Sequence, residues 1–230
     1  MSVKEVYLLT GGGFGSMKQM VEDIRLIFAA TGKPHPKVAY VGTASLDNKA
    51  FFHAIKAPIM KAGAEEVMLV PIVHRNADIS QAKRILSDAD AVFISGGEVE
   101  DGIVWLKRFG LDVFLTELYR GGKLFCGASA GAIMMGQHWV HWEVEGDDNT
   151  STLFSCLNFV PFVFDAHGEK EDWAELRCAL RLLGNGAQGH GLSAGGFFSA
   201  NEGGSFTCLR NEPAVFVNKD GNIERMNHVG

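Results

Sequence analysis

Short apolar runs bounded by glycine, proline or polar residues recur along the first half of the chain, and amphipathic segments separate them. Val6-Tyr7-Leu8-Leu9 is the first run, and it ends in Thr10-Gly11-Gly12-Gly13. Met17, Met20, Ile24, Ile27 and Phe28 share one helical face, which predicts a helix from about Ser16 to Ala30. Thr31-Gly32-Lys33-Pro34 stops it. Further strands are predicted at Val38–Val41, Glu66–Val70, Ala91–Ile94 and Lys123–Cys126. Helices are predicted at 48–61, interrupted or ended near Pro58, and at 79–89, 102–108, 111–120 and 130–136.

Strands of four or five residues that alternate with helices imply parallel pairing, with both sheet faces covered. The expected class is α/β: a doubly wound, mostly parallel sheet with helices on both faces. After Trp139 the alternation breaks down. Strands are predicted near His138–Val144 and Val160–Phe164, then a helix over 170–183 and a Gly-rich stretch over 184–196. Phe197–Met226 reads as C-terminal β-hairpin additions, with Lys219-Asp220-Gly221-Asn222 as a turn. No repeat or linker divides the chain, so residues 1–230 are expected to form a single α/β domain.

Composition narrows the class of function. Hydrophobic residues make up 47% and charged residues 21%, an ordinary globular profile. A net charge of −6 argues against a nucleic-acid or anionic-membrane surface, because phosphate binding needs clustered Lys and Arg. Cys126, Cys156, Cys178 and Cys208 form no C-x-x-C pair, which favours reduced thiols and a cytoplasmic setting. No apolar stretch reaches the roughly 18–20 residues of a membrane span. The expected partner is a small peptide substrate, with a homodimer as the candidate assembly and no cofactor or metal.

The chemistry concentrates at Lys123-Leu124-Phe125-Cys126-Gly127-Ala128-Ser129-Ala130-Gly131-Ala132. Gly127-x-Ser129-x-Gly131 follows an apolar strand and opens a helix, the context a nucleophile elbow requires. A sharp turn lifts the serine hydroxyl out of the sheet edge, and tiny flanks let strand and helix approach each other. Serine is a weak nucleophile and needs a base within hydrogen-bond reach. Of the eight histidines, His167 directly follows an apolar strand in Asp165-Ala166-His167-Gly168-Glu169 and is the expected base. Ser95-Gly96-Gly97-Glu98 ends the preceding strand, so the N–H groups of Gly97 and Ala130 are the expected oxyanion hole.

These pieces resemble the dipeptidase E and cyanophycinase family of serine peptidases, whose fold is similar to class I glutamine amidotransferases. The resemblance rests on Leu9-Thr10-Gly11-Gly12-Gly13, Ser95-Gly96-Gly97, Cys126–Ala132, Asp165-Ala166-His167 and the late Gly189-x-Gly191-Leu192. It implies Ser129 as nucleophile and His167 as base. Two departures stand out. Glu98 replaces a common Asn, and Ala194 stands where many members carry a Glu that serves as the triad acid. Another family acid follows the nucleophile helix, which makes Glu143 the preferred third member, with Asp147 in reserve and Glu169 as a further candidate. Family members often prefer acidic or aspartyl substrates held by Arg or Lys. Near the predicted site elements this chain has only Arg108, Arg120 and Arg177, so that preference is not carried over.

Three rival readings accompany this one. A non-catalytic relative would keep the fold and bind a small molecule or a partner. A metal-dependent hydrolase would use His138-x-x-His141-x-Glu143 or Asp165-x-His167-x-Glu169, whose side chains alternate onto one strand face. Gly11-Gly12-Gly13-Phe14-Gly15 lacks the full dinucleotide pattern and the acidic residue about 20 positions on.

Overall fold

A computed structural model describes residues 3–11 and 17–226. Positions 12–16, with Gly12, Gly13 and the expected start of the first helix at Ser16, lie outside the described residues. The first half alternates as the sequence predicts: β1 (Val6–Leu9), α1 (Met17–Ala29), β2 (Lys37–Val41), α2 (Lys49–Ala62), β3 (Glu66–Val70), α3 (Ile79–Asp88), β4 (Ala91–Ile94), α4 (Val99–Arg108), α5 (Leu111–Arg120), β5 (Leu124–Ala128) and α6 (Ala130–Met134). Then follow β6 (His138–Trp142), β7 (Ser151–Ser155), β8 (Val163–Ala166), α7 (Ala174–Leu183), β9 (Gln188–Leu192), β10 (Phe197–Ala200), β11 (Phe206–Arg210), β12 (Ala214–Lys219) and β13 (Asn222–Arg225).

The main sheet has seven strands in the order β11-β10-β1-β5-β4-β2-β3. Its β1, β5, β4, β2 and β3 are parallel, and β10 pairs antiparallel with β1. The alternation of side chains across the pleat feeds two cores. Val92 and Ile94 join Leu86, Ile103, Leu115 and Met134 on one face. Ala91 and Phe93 join Val21, Ile24, Ile27 and Ile59 on the other. Burial on both faces explains why these strands are continuous apolar runs. A four-stranded sheet, β13-β12-β9-β8, carries α7, and Trp173, Leu176 and Leu180 pack with Phe216 beneath it. β6 and β7 form a separate antiparallel ribbon.

Several expectations are corrected. α2 does not end at Pro58, which lies buried inside the helix. Its ends are set by Asn48, which caps the N–H of Phe51, and by left-handed Gly63. α4 begins at Val99, three residues before the predicted start. α7 begins at Ala174 rather than at 170, and β7 and β9 are additional strands. β10 is not merely part of an added hairpin, because it extends the main sheet. The turn at Asp220-Gly221 does join a hairpin: Lys219 pairs with Asn222, and both loop residues have positive φ, 52° and 91°.

Candidate active site

The carboxyl ends of β1, β4 and β5 lie level with one another. Leu9 pairs with Ala128 and Ile94 with Gly127, so Thr10, Ser95 and Ser129 emerge side by side. In an open parallel sheet this edge is where ligands bind. Ser129 sits between β5 and α6 with φ 52° and ψ −118°, a conformation that costs a non-glycine residue about 1–3 kcal/mol. Its backbone N–H donates to Leu9 O at 2.8 Å, and its carbonyl accepts from the Ala132 N–H at 2.8 Å. The flanking glycines are sterically required. A Cβ on Gly127 would lie 2.4 Å from Gly131 O, and one on Gly131 would lie 2.1 Å from Ile94 O.

His167 follows β8 and also has positive φ, 51°. Its N–H donates to Leu192 O at 2.9 Å, which ties the β8 end to β9. The ring then reaches across to the main sheet, where Nε2 lies 2.7 Å from Ser129 Oγ. In the tautomer with the ring proton on Nδ1, Nε2 accepts the hydroxyl hydrogen. The N–H groups of Gly97 and Ala130 have no hydrogen-bond acceptor among the described residues. Gly97 has φ 139°, and a Cβ there would collide with Ala44 O at 1.9 Å, so only glycine fits.

The structure brings Ser129 and His167 together but not Glu143. Glu143 lies exposed beyond the end of β6, and its backbone N–H donates to Thr150 O at 3.3 Å. Asp147 caps the turn at Asn149 instead. Glu169 Oε1 accepts the Ala194 N–H at 2.6 Å, so it buttresses the segment where the sequence lacks the expected acid. Among the described residues no carboxylate hydrogen-bonds His167 Nδ1. The alternative metal-ligand sets do not gather either. His141 Nδ1 meets Glu100 Oε2 at 2.6 Å, and among the described residues no group of three or more His, Cys, Asp or Glu is placed to hold a metal ion. All four cysteines are free, and burial pushes the Cys126 and Cys156 thiols up to about 12.

Two features escaped the sequence reading. A cavity of about 700 Å³ opens beside Ser129 and His167, and it is lined by Asp23 and Arg210 but by none of Arg108, Arg120 and Arg177. Asp23 lies on the buried face of α1 between Met20 and Ile27, and a lone acid in an apolar stripe is a signal that a partner exists. The second feature is Asp165, 4% exposed, whose Oδ1 accepts the Ala166 N–H at 2.6 Å while its buried Oδ2 has no partner. Burial pushes its carboxyl up to about 8, and the charges of Glu175 and Glu169 add to the rise. The folded state therefore holds a proton that the unfolded chain loses near pH 4. Stability should fall as pH rises from about 4 to about 8, by at most ~1.4 kcal/mol per pH unit, and level off above. Asp165→Asn should flatten that slope in melting curves taken across the same range; parallel slopes would show that Asp165 does not titrate this way.

Two solved structures share this fold. One, a peptidase from an acI-B1 Actinobacterium, superimposes with a TM-score of 0.75 at 16% identity, covering 99% of this chain and 96% of that one. A putative peptidase E protein from Listeria monocytogenes EGD-e has a TM-score of 0.66 at 20% identity, covering 91% and 99%. An uncharacterized peptidase of Bacillus subtilis (strain 168), YgaJ, is 25% identical over 175 residues, which is 74% of this chain and 71% of that protein. The model of peptidase family S51 matches residues 7–219, and the chain belongs to that family. No helix among the described residues is long and apolar enough to cross a membrane.

Proposed function

We propose that this chain is a serine-type peptidase that cleaves a small peptide or isopeptide through an acyl-enzyme on Ser129. The observation that carries this reading is the 2.7 Å approach of Ser129 Oγ to His167 Nε2 at the mouth of the cavity. The steps follow from that geometry. Nε2 takes the hydroxyl proton as Oγ attacks the carbonyl carbon. The carbonyl oxygen becomes an oxyanion, and the N–H groups of Gly97 and Ala130, without an acceptor among the described residues, are the donors available to it. The imidazolium gives its proton to the leaving amine, and water then repeats the sequence to release the acid. Glu169 acts at one remove. Its bond to Ala194 and the His167 N–H bond to Leu192 O hold the base against the neighbouring segment.

The lack of a hydrogen-bond partner on His167 Nδ1 among the described residues also suits a second reading, a relative that binds but does not turn over. Reaction of the purified protein with a fluorophosphonate separates the two. The peptidase predicts stoichiometric labelling that peptide mass spectrometry maps to Ser129. A protein that stays unlabelled and hydrolyses nothing in a peptide library is the non-catalytic relative, and a label on any other residue refutes the assignment.

A further inference from the structure

The cavity beside Ser129 is walled by Leu9, Met20, Phe51, Ile55 and Phe93, with Arg210 as its one guanidinium among the described residues. Three of its five N–H groups are bonded within the protein. Nη1 and Nη2 donate to the two carboxylate oxygens of Asp23, each at 2.6 Å, and Nε donates to Gly195 O at 2.9 Å. Asp23, 3% exposed, also accepts from Gln19 Nε2 at 3.2 Å. The arginine therefore contributes no net charge to the cavity, because a buried carboxylate already fills its fork.

Thr10 and Asn211, also on the wall, bond within the protein. The Thr10 hydroxyl donates to Ser193 O at 2.5 Å and accepts the Gly196 N–H at 2.6 Å. Asn211 Nδ2 donates to Ala194 O at 3.0 Å. A carboxylate placed in this cavity would lose its water, find no free cation and face Asp23, whereas an apolar side chain would lose nothing.

We infer that this cavity selects an uncharged, apolar side chain next to the scissile bond, and that Asp23 enforces the choice by occupying Arg210. The inference rests on the peptidase reading above. Asp23 is a specificity-determining residue in this account: it neutralises the cation that would otherwise admit an acidic side chain.

The test is competition against fluorophosphonate labelling by two peptidyl boronic acids that differ only beside boron, one with a leucine and one with an aspartate side chain. The leucine analogue should protect Ser129 at a concentration at least about tenfold lower, the discrimination a hydrophobic pocket commonly achieves. Asp23→Asn keeps the shape and frees the guanidinium. It should shift the preference at least about tenfold toward the aspartate analogue relative to the leucine analogue. If that variant does not fold, the wild-type comparison decides alone. Equal protection, or a wild-type preference for aspartate, overturns the inference while the peptidase stands. A protein that no fluorophosphonate labels brings down the peptidase reading and this inference together.

Discussion

Ser129→Ala, His167→Ala and the double variant should each lose about 10⁶-fold in kcat on a peptide substrate, and the double should be no slower than either single. In the proposed mechanism the two side chains act as one device: the imidazole, 2.7 Å from Oγ, takes and returns the proton of that hydroxyl. Without the base, the hydroxyl keeps its proton and attacks poorly; without the hydroxyl, the base has nothing to activate. Residual turnover would come from the cavity and the Gly97 and Ala130 N–H groups. The measurement is steady-state hydrolysis with each variant checked for a wild-type melting temperature. Additive losses, with the double variant far below both singles, would mean that the two residues work independently. A His167→Ala protein at wild-type rate would give the proton transfer to another group.

How much of this was legible in the sequence depends on where each element finds its partner. β2, β4 and β5 are buried on both faces, so their apolar runs announce them. Ser129 and its flanking glycines are legible for a related reason, since strand, turn and helix are contiguous in the chain. β7 was not, because Ser151-Thr152-Leu153-Phe154-Ser155 is half polar and becomes a strand only by pairing with β6. β9 hides among glycines that tertiary packing demands. A Cβ on Gly189 would press on Leu176 at 2.6 Å, and one on Gly191 would enter the Trp173 ring. The Asp23–Arg210 pair spans 187 positions, and no local pattern predicts so distant a partner. Glu143 is a related case: sequence order put it soon after α6, but it lies exposed past the end of β6 and makes no hydrogen bond to His167 among the described residues.

Gly131→Ala should destabilise the protein by about 3 kcal/mol or more, at the upper end of what overpacking usually costs. Helix propensity points the opposite way, since alanine is about 1 kcal/mol better than glycine inside a helix, and Gly131 lies in α6. Sterics win because of what the new methyl would meet. Its carbon would stand 2.1 Å from Ile94 O, 2.7 Å from Ile94 C and 2.8 Å from Ser95 O, all backbone atoms of the β4 end. A flexible side chain could swing aside; this backbone cannot. Ile94 is held in register by Val41 on one side and Gly127 on the other. The strain must therefore move α6 away from β4, and Ser129 moves with it because its carbonyl anchors the first turn of that helix. A fall in melting temperature of about 10 °C is expected, from the ~2–4 °C per kcal/mol typical of a chain this size. Fluorophosphonate labelling should slow in parallel, even at temperatures where the variant is folded. A variant with a wild-type melting temperature would show that α6 can shift without cost, and that Gly131 is not what lets the helix start against the sheet.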